Sequence, residues 1–264
     1  MESIATSGSS FVKPNYCFER GLCLLFNHTD YDLDNNMKLP ERHGSDADVK
    51  AIVNYFTKCR IKVEVFDNKL LNKIQQILQD YSKDKYNLEY DFLIVIVLSH
   101  GKEDKLYAYD VDYKYSVLYE PFLPQNCELL KGKPKAFIIS ACQGKEIDTG
   151  IQFDYSKVPL HVPEDDDFIV ILSAVPGFKS YRHPYDGTFA VREFIECLNE
   201  SRAFGLNEDI VSILTNVNRR VSNIKFSKEQ SRKIASQLEE NEEVKMMTMF
   251  FSTLRNELAI KIFF

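Results

Sequence analysis

What this 264-residue chain lacks excludes several classes at once. It has no basic excess: 33 Lys and Arg stand against 39 Asp and Glu, a net charge of -6, whereas a nucleic-acid footprint is basic. No apolar run approaches the roughly 20 residues of a membrane span; the longest is Phe92 to Leu98. Met1 to Ser10 hold neither the basic nor the apolar region of a secretory leader. The six cysteines form no C-x-x-C pair, which argues against a disulfide scaffold and a cysteine-rich zinc site and favours a reducing compartment. The expectation is a soluble cytoplasmic protein with no nucleic-acid or membrane partner, no metal and no cofactor.

What is present is an alternation of strand and helix patterns. Gly21 to Phe26, Lys62 to Phe66, Phe92 to Leu98, Lys135 to Ser140 and Phe168 to Ala174 read as strands. Phe92 to Leu98 (FLIVIVL) has no polar alternation, as expected of a strand covered on both faces. Helical spacing runs through Val49, Ile52, Val53 and Phe56, through Leu70 to Tyr81, through Val191 to Leu198 and through Ile210 to Val221. Ser45 with Asp48 predicts a capping box at the first of these. Met246 to Thr253 and Leu258 to Phe264 read as extended. Strands alternating with helices imply an α/β fold with a largely parallel sheet. Lys145 to Asp167 and Asn223 to Val244 interrupt the pattern as turn-rich or highly charged loops.

Two of the strands end alike. Leu98-Ser99-His100-Gly101 closes one, and Ser140-Ala141-Cys142-Gln143-Gly144 closes another, with 42 residues from His100 to Cys142. Open α/β sheets build their sites at the carboxyl edge. A His and a Cys delivered there form a base and nucleophile pair, since a Cys attacks only as its thiolate. The backbone N–H groups of Gly101 and Cys142 are then placed to face an oxyanion. The bland alternative is a buried thiol and a satisfied imidazole at two loop starts.

The motifs around this pair tip the balance. Ala141-Cys142-Gln143-Gly144, with His100 upstream, resembles the signature of caspases. Arg20-Gly21-Leu22-Cys23-Leu24, Arg42-His43-Gly44-Ser45-Asp46-Ala47-Asp48 and Gly132-Lys133-Pro134-Lys135 resemble further segments of that family, in order. So do Val175 to Arg182, Asp186-Gly187-Thr188-Phe189 and Ser252-Thr253-Leu254-Arg255. The resemblance runs from about Tyr16 to the end.

It implies a caspase-like three-layer fold, a mostly parallel six-stranded sheet flanked by helices. Residues 1–15 would be a short disordered prodomain, 16–154 the large-subunit region and 155–264 the small-subunit region of one catalytic domain. Cys142 would attack the scissile carbonyl and His100 protonate the leaving amine. Arg42 and Arg182 stand where the family binds the Asp at P1, the residue whose carbonyl is cleaved, and Arg suits a buried carboxylate through its forked donors. Tyr181 stands where the family has an aromatic wall for P2, beside Ser180.

Two positions depart from the family pattern: Ala108 replaces a usual Gly, and Ser140 replaces a Gln that also donates to the P1 Asp. Losing one hydrogen bond to a charged partner costs about 1.5–3 kcal/mol, or on the order of 10- to 150-fold. Asp154, with Asp148 as a second possibility, falls where an activating upstream protease would separate the subunits. The short segment before Tyr16 resembles executioner caspases. Met247 to Ser252 matches the strand through which caspases form homodimers or heterodimers. The expected function is an Asp-directed cysteine endopeptidase in apoptosis or a related cascade. The alternatives are a weak or inactive homologue that regulates a catalytic caspase by dimerisation, and an unrelated α/β binding protein.

Overall fold

A computed structural model describes residues 16, 20–32, 39–83, 89–150, 165–206, 208–227, 229–231 and 243–258. The chain runs β1 (Gly21–Asn27), α1 (Ser45–Lys58), β2 (Ile61–Asp67), α2 (Leu71–Lys83) and β3 (Phe92–Leu98). A small antiparallel sheet follows, β4 (Gly101–Lys102), β5 (Lys105–Tyr107) and β6 (Asp112–Lys114), then α3 (Ser116–Tyr119) and β7 (Lys135–Ser140). The remainder is β8 (Phe168–Leu172), a hairpin of β9 (Arg182–His183) and β10 (Gly187–Thr188), α4 (Phe189–Ala203), α5 (Ile210–Ser222) and β11 (Met249–Ser252).

The central sheet has six strands in the order β11-β8-β7-β3-β1-β2. All neighbours are parallel except β11, which pairs antiparallel with β8 at the edge. This is the mostly parallel six-stranded sheet expected from the sequence.

Strand side chains alternate between faces, and here both faces are covered. Cys23, Leu25, Ile94, Ile96 and Leu98 join one core with Ile52 and Phe56 of α1, Phe194 and Leu198 of α4, and Leu214 and Val217 of α5. Leu22, Leu24, Phe26, Val95 and Val97 join the other with Ile74 and Leu78 of α2 and Leu118 of α3. Burial on both sides is why β1 and β3 read as unbroken apolar runs.

Three expectations need correction or narrowing. Gly44, not a side chain, occupies the N-cap of α1, and no capping-box bond forms. Ser45 is already the first helical residue, and its hydroxyl donates to Asn27 Oδ1 at 2.5 Å. Met246 to Thr253 contracts to β11. Of Leu258 to Phe264 only Leu258 lies within the described residues, and it is buried. Residues 1–15 and Asp154 lie outside them.

Replacing Leu24, fully buried at the centre of β1, with Ala removes a core contact the packed sheet cannot refill. We expect a loss of about 2–5 kcal/mol, seen as a lower urea midpoint with an unchanged slope.

Candidate active site

The chain enters at β1, steps to the β2 edge, then returns to the opposite side of β1 as β3. The carboxyl ends of β1 and β3 therefore flank a topological switch point, where open α/β sheets leave a crevice. The segment after β1 brings Arg42, the end of β3 brings His100, and the end of β7 brings Cys142. Arg182 arrives on β9.

Register sets the pair. Leu98 of β3 lies opposite Ser140 of β7, and Ser99 N–H donates to Ser140 O at 3.2 Å. His100 and Cys142 are each two residues beyond that rung, on strands about 4.8 Å apart. Gly101 closes the gap: a Cβ there would lie 2.6 Å from the Cys142 carbonyl oxygen. Only a residue without a side chain allows this approach.

The two groups are not hydrogen-bonded to each other. His100 Nε2 lies 2.8 Å from Pro40 O, and since a carbonyl only accepts, Nε2 carries the hydrogen and Nδ1 keeps its lone pair. The backbone N–H of His100 donates to the Tyr31 hydroxyl at 3.0 Å. Burial, then the positive charges of Arg42 and Arg182, push the imidazole pKa down to about 4 against the pull of the Pro40 bond, so the ring is neutral at pH 7. The Cys142 thiol donates to Ser180 O at 3.6 Å.

Tyr107 N–H donates to His100 O at 3.1 Å, which makes His100 and Tyr107 a bonded antiparallel pair and the next rung, Gly101 with Leu106, a non-bonded one. The Gly101 N–H thus points away from β5. Among the described residues the Cys142 N–H has no backbone acceptor. Two donors stand open beside the thiol.

Arg42 is only 2% exposed. Its Nη1 donates to His28 O at 2.9 Å and Ser45 Oγ at 3.0 Å. Arg182 Nε donates to His43 O at 2.7 Å. Burial and then the neighbouring Arg182 push Arg42 down to about 10, and burial lowers Arg182 as well. Neither guanidinium forms an ion pair with a carboxylate among the described residues. Two desolvated cations with unused donors make a site for an anion.

The other predicted residues fall around this pocket. Ser140 is buried, and its hydroxyl donates to Thr188 Oγ1 at 3.3 Å. Behind it lies an apolar cavity of about 30 Å³ lined by Ile52, Ile138, Ala190, Val191 and Leu214 among others. The Ser180 hydroxyl bonds Ser173 Oγ at 2.8 Å. Tyr181 is buried, with its ring against Phe226 at 5.4 Å. The Asp148 carbonyl accepts from Lys245 N–H at 2.7 Å. Met247 is exposed beside the β11 edge. Sequence reasoning missed Pro40 and Tyr31, whose contacts to His100 span 60 and 69 residues and leave no local signal.

The site also contains His28, fully buried, with both ring nitrogens unpartnered among the described residues. Burial, then Arg42, pushes its pKa down to about 3. Such a group takes up its proton in the unfolded chain first, so it favours folding above its unfolded pKa of 6.5 and opposes it as pH falls. We expect urea midpoints to drop from about pH 6.5 down toward pH 3, and His28→Leu to flatten that slope.

A profile of the caspase domain matches residues 20–258. Caspase-8 of Mus musculus is 32% identical over 225 residues, covering 77% of this chain and 46% of the relative, so the chain spans less than half of that protein's length. Caspase-1 of Spodoptera frugiperda is 32% identical over 209 residues, covering 77% of this chain and 68% of the relative. The crystal structure of Caspase-1 from Spodoptera frugiperda matches with a TM-score of 0.80 at 28% identity, covering 98% of this chain and 97% of that one.

Proposed function

The chain belongs to the caspase family, and from that premise we propose that it is a cysteine endopeptidase that hydrolyses protein substrates after Asp. The observation that carries the reading is a pair of neighbouring arginines, Arg42 buried and Arg182 half-buried, neither ion-paired to a carboxylate among the described residues, beside a thiol and a neutral imidazole on adjacent strand ends. A P1 carboxylate replaces the missing anion, and its recognition by two guanidiniums is charge-assisted. With the scissile carbonyl seated, the Cys142 proton passes to His100 Nδ1 as sulfur bonds the carbonyl carbon. The Gly101 and Cys142 N–H groups take the oxyanion. The imidazolium then protonates the leaving amine, and neutral His100 activates the water that hydrolyses the thioester.

Ser140 limits this pocket. Its hydroxyl is engaged by Thr188, and the cavity behind it is apolar and holds about one water's volume. A Gln at this position is too long for a cavity of about 30 Å³, so its amide would be directed toward the P1 carboxylate. Weakened activity with P1 preference retained is the expected consequence.

The cellular reading is an executioner-type enzyme of the cytoplasm in an apoptotic or related cascade, activated by an upstream protease and dimerising through Met247 to Ser252. Cleavage at Asp154 is favoured over Asp148, whose carbonyl is held by Lys245. The engagement of Ser140 with Thr188 favours one alternative, a homologue that binds a catalytic caspase along β11 and regulates it.

The test is a panel of fluorogenic peptides varied at P1, assayed on intact protein and on protein cut after Asp154. Turnover confined to Asp at P1 and lost in Cys142→Ala is expected, and turnover indifferent to P1 charge would sink the proposal. No turnover, with activation of a co-expressed caspase that persists in Cys142→Ala, supports the regulator instead. Ser140→Gln should raise kcat/KM by about 10- to 150-fold; an unchanged value removes the pocket argument.

A further inference from the structure

Asp48 lies in the first turn of α1 and is 2% exposed. Both of its oxygens serve one residue: Oδ1 accepts from the Thr188 N–H and Oδ2 from the Thr188 hydroxyl, each at 2.8 Å across 140 residues of sequence. Gly187 makes this approach possible. It has φ of 82°, in the left-handed region, and a Cβ there would fall 2.3 Å from Asp48 Oδ1. Within its sheet β10 pairs only with β9. Asp48 therefore ties the hairpin that carries Arg182 to the helix that follows Arg42. Thr188 Oγ1 also accepts from Ser140, extending the chain of hydroxyls to the strand end that presents Cys142.

The same carboxylate is the acid whose charge reaches both arginines. Yet it is hydrogen-bonded to neither; each of its oxygens is turned to Thr188. An Asp bonded directly to Arg42 or Arg182 would occupy the donors a substrate needs. Held one step away, it offsets the repulsion of two neighbouring cations and leaves those donors open.

We propose that Asp48 is a positioning residue for the P1-carboxylate site: through Thr188 it fixes the β9–β10 hairpin, and through its charge it keeps Arg42 and Arg182 side by side while empty. This rests on the P1 reading above. A purely structural role, Asp at a helix N-terminus favouring the dipole, would change stability and not ligand discrimination.

The experiment uses the full chain carrying Cys142→Ala and measures, by titration calorimetry, the affinity of a peptide ending in Asp and of the same peptide ending in Asn. The parent should prefer Asp. Asp48→Asn keeps the shape and removes the charge; it should weaken the Asp peptide about tenfold and leave the Asn peptide unchanged. Thr188→Val removes only the hydroxyl, should weaken the Asp peptide in the same direction, and carries the test if Asp48→Asn does not fold. In the catalytically intact chain the loss should fall on KM, with kcat held within about threefold. Undiminished Asp affinity in the folded variants overturns the role of Asp48 alone. A parent that does not distinguish Asp from Asn overturns the P1 reading and this inference together.

Discussion

The parallel register between β3 and β7 determines where both reactive groups emerge. Leu98 and Ser140 form the last paired rung, and both strands are buried on each face. A slip of one residue would exchange the faces of every side chain in the slipped strand. It would also place Cys142 level with a different residue of the β3 exit and separate the Gly101 approach from the Cys142 carbonyl. The apolar packing of Val95, Ile96 and Val97 against helices on both sides therefore holds the chemistry as well as the sheet. His100 and Cys142 lie just beyond those strand ends, and His100 is held further by Pro40 and Tyr31.

Electrostatics in the pocket follow from burial without neutralisation. Arg42 is buried and Arg182 half-buried; burial lowers the pKa of both, and the charge of Arg182 lowers Arg42 further. An ion so placed is costly unless hydrogen bonds or a counter-charge offset the loss of hydration. Here backbone carbonyls of His28 and His43 supply part of that offset, and Asp48 supplies charge at a distance. The same positive field acts on His100, which stays neutral and able to accept a proton. Burial first, and then the charge of the two arginines, keeps that imidazole neutral.

Much of this was legible in the chain. Period and composition marked β1, β3, β7 and β8, and the shared endings of β3 and β7 pointed to the pairing of His100 with Cys142. Arg42 and Arg182 came only from family motifs, because an isolated Arg carries no local mark of burial. The capping-box reading of Ser45 and Asp48 failed for a physical reason: the residue types were right for hydrogen bonding, but tertiary partners claimed them. Ser45 serves Asn27 and Arg42, and Asp48 serves Thr188. Pro40 was illegible altogether, since it acts through a carbonyl that every residue has.

Ser140 shows how the two halves of the pocket are joined. Its side chain is buried yet bonded sideways to Thr188, so the strand end carrying the nucleophile and the hairpin carrying Arg182 share one hydroxyl contact. In the proposed pocket a longer amide at this position would reach toward the substrate and leave the short lateral contact that the serine hydroxyl makes with Thr188. The present residue favours continuity of the pocket wall over a third donor. In the endopeptidase proposed above, recognition of the P1 carboxylate falls on the arginines, and the accuracy with which α1 and β10 hold them governs it.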